Sequence, residues 1–123
     1  MDISLHLESD GVDLPDSVKV IIQRQLRLLS RRHPRIVSCH LIVRAPNGHH
    51  LKGEPFQVLL RFLLPGEEQI EASPPIGIPD PRQADLRFAV NDAFKRAERR
   101  LEQSASKREA RQKIHRTPRS NTR

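Results

Sequence analysis

Three segments of the chain alternate apolar and polar residues, and this two-residue period constrains the fold more than any other feature of the sequence. The segments are residues 2–8, 36–44 and 56–64. Successive side chains of an extended strand point to opposite faces, so each segment has one apolar face to bury. A shorter segment at 67–73 predicts a fourth strand. We therefore expect a four-stranded sheet that is apolar on one face.

Two other segments repeat their apolar residues at helical spacing. Residues 15–32 form the first, which predicts an amphipathic helix with Asp13 as its N-cap. Residues 80–101 form the second, with Asp80 as the expected N-cap. Pro81 then takes the first helical position, where its missing N–H costs no hydrogen bond.

The predicted element order is βαβββα. A sheet that is apolar on one face needs both helices on that face, which gives a two-layer α+β sandwich and leaves the other face open to solvent or to a partner. A length of 123 residues suits one such domain. We expect a folded domain over residues 1–105 and a basic, largely disordered tail over 106–123, with helix-forming residues continuing to about Lys113.

The positive charge is concentrated in the last third of the chain. Residues 82–123 contain 13 Lys and Arg against 5 Asp and Glu, whereas residues 1–81 contain 9 against 10, for a formal net charge of +7. Such a segment indicates a polyanionic partner, either a nucleic acid or an anionic membrane. The membrane is the weaker alternative, because apolar runs such as VLLRFLL at 58–64 are too short to span a bilayer.

The basic residues of the second predicted helix form the candidate nucleic-acid surface. They are Lys95, Arg96, Arg99, Arg100, Lys107 and Arg108. A charged helix face is often only solvated and partly paired at i,i+4. Here the cations outnumber the acids around them, which favours phosphate binding.

A second basic cluster lies in and just after the first predicted helix. Its members are Arg24, Arg27, Arg31, Arg32 and Arg35. If both helices pack on one face of the sheet, the two clusters lie side by side, although this cluster by itself is equally consistent with a solvated helix end. The loop at 45–55 adds Lys52 and His50 as hydrogen-bond donors to a phosphate backbone.

The aromatic residues indicate how a nucleic acid would be contacted. The chain has no Trp or Tyr, and its four Phe residues include Phe56 and Phe62 on a strand and Phe94 on a buried helix stripe. Only Phe88 is a candidate for exposure. Unpaired bases are usually held on exposed aromatic side chains. We therefore expect recognition of folded RNA through its backbone, by charge and shape.

Neither an enzyme active site nor a metal or cofactor site is predicted. His6 and His40 are expected to be neighbours on the open sheet face, but no histidine spacing typical of zinc ligands occurs. No nucleophile motif or phosphate-binding glycine loop is present. The single cysteine, Cys39, excludes an internal disulfide and is expected to be a buried thiol. Together with an N-terminus that lacks a secretion signal, it favours a reducing cytoplasm.

The chain has three features, in the same order, of a known family. They are the order βαβββα, the stretch IVSCHLIVRAPNGHHLKGEPFQVLLRFLLPGEE and the helix ADLRFAVNDAFKRAERRL. Over about residues 1–105 they resemble the ribosome hibernation promoting factor family, also called ribosome-associated inhibitor or sigma-factor modulation proteins. The closest likeness is to its short members, through K-G-x-P-[FY]-x-V at 52–58 and D-A-F at 92–94.

The resemblance implies a non-enzymatic protein that binds the small ribosomal subunit and its ribosomal RNA in the channel used by messenger and transfer RNA. Such a protein inhibits translation and protects idle ribosomes under stress. Family members contact RNA mainly through basic residues of the two helices, and Arg96 and Arg99 match the K-x-x-R of the second helix. Lys95 and Arg100 are basic where many members have acidic or amide residues.

The chain also departs from the family. Arg87 stands where many members have Tyr, and residues 102–105 replace the Lys and His that often follow the last Leu of the helix. The C-terminal dimerisation domain of the long members is absent from the sequence, so we expect a monomer off the ribosome.

Two other functions stay open on the sequence. One is a protein-interaction module that uses the open sheet face to modulate a transcription factor. The other is a generic binder of structured RNA. None of the three functions calls for a membrane, a small-molecule substrate or a cofactor.

Overall fold

The helices and strands follow the predicted order βαβββα. The structure is a computed structural model that describes residues 3–45, 54–74 and 80–120, with side chains described as far as residue 108. The elements are β1 Ser4–Asp10, α1 Asp16–Arg32, β2 Ser38–Arg44, β3 Gln57–Leu63, β4 Gln69–Ala72 and α2 Leu86–Ser120. Short 3-10 turns at Pro65–Glu67 and Pro81–Ala84 precede β4 and α2.

The four strands form one mixed sheet in the order β1-β2-β3-β4. β1 and β2 are parallel because α1 carries the chain back between them, whereas β2, β3 and β4 are antiparallel neighbours. The register aligns the apolar residues in cross-strand rows. One row is Leu5, Cys39, Phe62 and Ile70, and the next is Leu7, Leu41, Leu60 and Ala72.

Both helices cover this apolar face, so the predicted two-layer α+β sandwich is confirmed. α1 contributes Val18, Ile22, Leu26 and Leu29 to the core. In α2, Ala89, Ala93 and Ala97 are fully buried at intervals of four residues. A line of small side chains lets a helix approach its neighbours closely. The larger Val90, Phe94 and Leu101 lie beside this line and fill the core.

Cys39 is fully buried in the middle of the sheet, as predicted. Its thiol is free, and burial raises its pKa to about 12. A thiol in such surroundings is a small apolar side chain rather than a nucleophile.

The predicted N-cap of α1 is wrong. Pro15, not Asp13, immediately precedes the helix, and no side chain caps it. The Pro15 carbonyl accepts hydrogen bonds from the Val18 and Lys19 amides at 3.0 and 3.1 Å. At Pro15 ψ is 155°, so the chain is extended there and turns helical only at Asp16. Asp13 lies two residues before this N-cap position and does not cap the first turn.

The predicted start of α2 is also wrong, by five residues. Asp80 caps the 3-10 turn instead, where its Oδ1 accepts from the Arg82 amide at 2.9 Å. α2 begins at Leu86 after Asp85, whose Oδ1 accepts from the amides of Arg87 and Phe88 at 2.9 and 3.4 Å. At its other end α2 runs to Ser120, beyond the expected end near Lys113. The division of the chain at residue 105 stays a prediction.

The start of β2 departs from the alternation predicted over residues 36–44, which would put Val37 on the same face as Cys39. Val37 is half exposed, whereas its neighbour Ile36 is 4% exposed and belongs to the core. Strand alternation starts only at Ser38, and the turn after Pro34 presents Ile36 to the core instead.

Some expectations concern segments outside the described residues. They include residues 46–53 of the predicted loop at 45–55, with His50 and Lys52, and residues 75–79 of the proline-rich connector. Within the described ranges, no helix is long and apolar enough to cross a membrane. Over those same ranges, no group of three His, Cys, Asp or Glu side chains is placed to hold a metal ion.

Candidate nucleic-acid interface

α2 lies between α1 and the β4 edge of the sheet, and its cations face two different grooves. Its apolar stripe occupies the sheet side, so the basic residues fall on the flanks and the outer surface. Lys95 lines the groove between α2 and α1. Arg96, Arg99 and Arg100 line the groove between α2 and the end of β4. The basic residues that were predicted to form one surface therefore lie on two sides of α2, in separate grooves.

The groove beside β4, which we call the β4 groove, is the larger of the two. It has a volume of about 470 Å³ and is lined by Ala72, Ser73, Pro74, Arg96, Arg99, Arg100 and Gln103. Arg99 and Arg100 are exposed and make no ion pair or hydrogen bond with the side chains that the structure describes. Past Arg100, a second hollow continues along β4 as far as Lys107. The β4 groove therefore presents two free guanidinium groups to solvent.

Arg96 has different surroundings, although it lines the same groove. Its Nε donates to Asp92 Oδ2 at 3.0 Å, and its Nη1 donates to the Ser73 carbonyl. The side chain is 22% exposed. Its charge is balanced within the protein, so Arg96 is less available to a phosphate than Arg99 or Arg100. The role of Arg96 in RNA binding stays a prediction.

Arg108 is also paired inside the protein. Its Nη2 lies 3.1 Å from Glu68 Oε1, and Ser104 Oγ donates to Glu68 Oε2 at 2.8 Å. The Ser104 hydrogen bond and then Arg108 hold the pKa of Glu68 below its ordinary value, with a smaller contribution from Arg35. These contacts tie the turn between β3 and β4 to α2. Lys107, by contrast, is exposed.

The arginine cluster of α1 lies next to α2, as expected if both helices share one face. Gln25 Nε2 donates to Asn91 Oδ1 at 2.8 Å, and Arg32 pairs with Glu98. The remaining arginines of the cluster are exposed and make no ion pair with another described residue. They are Arg24, Arg27, Arg31 and Arg35. The two clusters thus lie on adjacent helices, with Lys95 between them.

The open face of the sheet has balanced charges. His6, His40, Arg61 and Glu71 form one cross-strand row. Arg61 Nε donates to Glu71 Oε2 at 3.0 Å, and the rings of His6 and His40 are 6.0 Å apart, which confirms that the histidines are neighbours. His40 Nε2 lies 3.0 Å from Glu8 Oε1 but is not aligned for a hydrogen bond. This mixture attracts a polyanion less than the helical face does.

Phe88 is not a free stacking platform. It is half-buried, and the Arg82 guanidinium lies 4.6 Å above the centre of its ring. Arg82 in turn is held by Asp80, to which it donates from Nη2 at 2.7 Å. The cation already occupies the ring face that a nucleobase would use.

The sequence analysis did not identify the residues that pair with Arg96 and Arg32 and so make these two cations less available than their neighbours. Asp92 precedes Arg96 by four residues, a spacing that does indicate an ion pair on a helix. No local signal pointed to the Ser73 carbonyl or to Glu98 as the partner of Arg32, because these contacts join distant parts of the chain. His50 and Lys52 stay predictions, since both lie outside the described residues.

Comparison with known proteins shows the same architecture in solved structures. No protein-family model matches the chain, and no curated protein matches it in sequence. A ribosomal subunit interface protein from Coxiella burnetii is similar in structure, with a TM-score of 0.63 and 17% identity over 85% of this chain and 99% of that chain. The N-terminal domain of Protein Y from Thermus thermophilus has a TM-score of 0.57 and 20% identity, over 84% of this chain and 98% of that domain.

These two likenesses extend over nearly the whole length of the solved structures. At identities of 17% and 20% they establish a shared fold. They confirm the fold that was expected from the resemblance to the ribosome hibernation promoting factors. The class of protein is thus an α+β sandwich of this type with a basic helical face.

Proposed function

We propose that this protein is a non-enzymatic, ribosome-associated member of the hibernation promoting factor family. It binds ribosomal RNA of the small subunit in the mRNA and tRNA channel, and by occupying that channel it inhibits translation in idle ribosomes. The observation that carries the proposal is the pair of free, exposed guanidinium groups of Arg99 and Arg100 in the β4 groove. A fold shared with a protein described as a ribosomal subunit interface protein supports it.

The contacts in this proposal are made to the RNA backbone. The proposal uses six of the exposed cations of the two helices that make no ion pair with another described residue, namely Arg24, Arg27, Arg31, Lys95, Arg99 and Arg100. No aromatic side chain on this surface is described as free to stack. Phosphate contacts fix the position of a protein on RNA without reading its sequence. A ribosome offers one fixed shape, so charge and fit are enough for specificity.

The proposal assigns further residues beyond this set. Lys52, His50 and Lys107 extend the surface around the two helices, and Arg32 and Arg108 border it while they pair with Glu98 and Glu68. Residues 1–105 act as the binding domain, with residues 106–123 as a basic extension. The protein acts in the cytoplasm as a monomer until it meets the ribosome.

The salt dependence of binding tests the proposal. Neutralising about six phosphates gives a slope of log affinity against log salt of about −4 to −5. We expect co-sedimentation with purified small subunits to follow this slope between about 50 and 200 mM salt. Absence of binding at low salt, or a slope near zero, would contradict the proposal.

A matched pair of double variants locates the surface. Arg99→Ala with Arg100→Ala removes two charges from the β4 groove and is expected to make the slope shallower by about 1.5 to 2. Arg44→Ala with Arg61→Ala removes two charges from the open sheet face and should leave the slope unchanged. If the second pair had the larger effect, the open sheet face would be the binding surface, as in the protein-interaction alternative. Equal affinity for naked duplex RNA and for small subunits would favour the generic RNA binder.

A further inference from the structure

Arg96 and Asp92 lie at the centre of a polar network that joins three elements. Asp92 Oδ2 accepts from Gln83 Nε2 at 3.1 Å and from Arg96 Nε at 3.0 Å. Arg96 then donates from Nη1 to the carbonyl of Ser73, the residue that follows β4. Gln83 belongs to the 3-10 turn that precedes α2. The two side chains of α2 therefore hold both ends of the segment that joins β4 to α2.

The network continues into the core of the protein. Gln83 is 6% exposed and is the buried polar residue among those that the structure describes. Its carbonyl accepts from the Phe56 amide, next to the start of β3, at 2.9 Å. A buried amide that loses its partner pays the full cost of desolvation. Asp92 is thus the hydrogen-bond acceptor of both the buried Gln83 amide and the Arg96 guanidinium.

The same contacts limit what Arg96 offers to a ligand. Its cation already faces a carboxylate, so a phosphate that bound it would compete with Asp92 and with the Ser73 carbonyl. Charge-assisted hydrogen bonds of this kind are among the stronger ones in proteins. Arg99 and Arg100 have no such competitor among the described residues. A cation that is already neutralised also adds little to the counterion release that drives RNA binding.

We infer that Arg96 is a positioning residue and not a phosphate ligand. With Asp92 it forms a polar clasp that fixes Ser73 and Gln83 against α2, and so fixes the wall of the β4 groove, in which Arg99 and Arg100 meet RNA phosphates. The clasp itself is inferred from the hydrogen bonds above. Its role in RNA binding rests on the proposed function. This assignment departs from the family resemblance, in which Arg96 and Arg99 contact RNA alike.

Arg96→Gln tests the inference with little change in shape. The Nε2 of a glutamine is separated from Cα by the same number of bonds as the Nε of arginine, so the variant keeps a donor for Asp92 and loses the charge. We expect Arg96→Gln to keep the salt slope of small-subunit binding and an affinity within about threefold of the wild type. The matched variant Arg99→Gln is expected to make the slope shallower by about 1 and to weaken binding more. An equal loss of slope in the two variants would overturn the inference.

Asp92→Asn provides the opposite test. If Arg96 were a phosphate ligand, neutralising its partner would release its charge and tighten binding. A clasp predicts the reverse, because the loosened groove wall no longer holds Arg99 and Arg100 in place, although Arg96 loses its carboxylate partner. Weaker binding supports the clasp, and tighter binding contradicts it.

Amide hydrogen exchange tests the clasp without a ribosome. In Arg96→Ala and Asp92→Asn, the Phe56 amide is expected to exchange faster than in the wild type, while Arg99→Ala leaves its rate unchanged. Thermal unfolding of each variant shows whether the change is local. Unchanged exchange at Phe56 would overturn the clasp. If these variants exchange faster at Phe56 but the wild type binds no small subunit, the clasp is supported and the proposed function is rejected.

Discussion

At the scale of single residues, the partner of each arginine decides what it can do. Arg96 and Arg99 are three positions apart on one helix and line one groove. Arg96 is turned toward Asp92 and Ser73, whereas Arg99 faces solvent. The same contrast separates Arg32, which pairs with Glu98, from the exposed Arg31 beside it. Counting cations along the sequence therefore overstates the charge that is free to bind RNA.

Glu68 gives a prediction at this scale. The Ser104 hydrogen bond, followed by Arg108 and Arg35, lowers the pKa of Glu68 from its ordinary value of 4.5. The stabilisation is fully present above that ordinary value and is lost as the pH falls through the lowered pKa of the folded state. Because the pair is partly exposed, we expect Glu68→Gln to reduce the free energy of unfolding by about 0.5 kcal/mol at neutral pH.

Urea unfolding at neutral and at acid pH measures this effect. The difference between the wild type and Glu68→Gln should shrink as the pH falls below the pKa of the folded carboxyl group. Glu67→Gln is the control, since Glu67 is exposed and makes no ion pair with another described residue. An effect of Glu68→Gln that is the same at every pH would show that the carboxylate charge contributes nothing.

At the scale of elements, α2 is defined by its buried face and by its cap. The alanines at 89, 93 and 97 let it lie close to the sheet between α1 and β4. That position places its cations on either side of the helix, in two grooves. Its first turn is fixed by Asp85, because the 3-10 turn at Pro81–Ala84 has already used Asp80.

The two aspartates give a prediction at this scale. Asp85→Ala removes the side-chain acceptor for the first amides of α2 and is expected to reduce the free energy of unfolding by about 1 kcal/mol. Asp80→Ala removes the cap of a four-residue turn and should have a smaller effect. Chemical denaturation of both variants provides the comparison. A larger loss in Asp80→Ala would mean that Asp80 is the cap that matters for α2.

At the scale of the whole molecule, the sheet separates two unlike surfaces. The helical side has the two arginine clusters, whereas the open side mixes cations with carboxylates, as in Arg61 with Glu71. Between them lies one core to which both helices and all four strands contribute. A polyanion approaching the protein is therefore attracted mainly to one side.

Cys39 gives a prediction at this scale, because it reports on the integrity of the whole core. It is fully buried beside Phe62, and its pKa of about 12 leaves roughly one thiolate in 10,000 at pH 8. We expect a thiol reagent to label the native protein extremely slowly and to label it in urea in parallel with the loss of circular dichroism. Val37→Cys, which places a thiol at a half-exposed position two residues away, should react at once. Rapid labelling of the native wild type would show that the sheet opens locally around Cys39.

The sequence by itself determined the strands, the helices and the faces that they bury. A two-residue or a 3.6-residue period is a local property, and it was enough to predict the sandwich, the inward Phe62 and the buried stripe of α2. It was also enough to place the basic residues on two neighbouring helices. Local periodicity failed at element ends, as with Asp80 and Asp85, since both residues can cap a helix and only the packed chain selects one.

The tertiary structure alone decided which cations are free. Arg32 meets Glu98 from 66 positions away, and Arg96 meets the Ser73 carbonyl from 23 positions away. The β4 groove likewise exists only where α2 passes the end of β4. The physical reason is that an ion pair or a groove depends on distances through space, and these are fixed only when the helices have packed on the sheet.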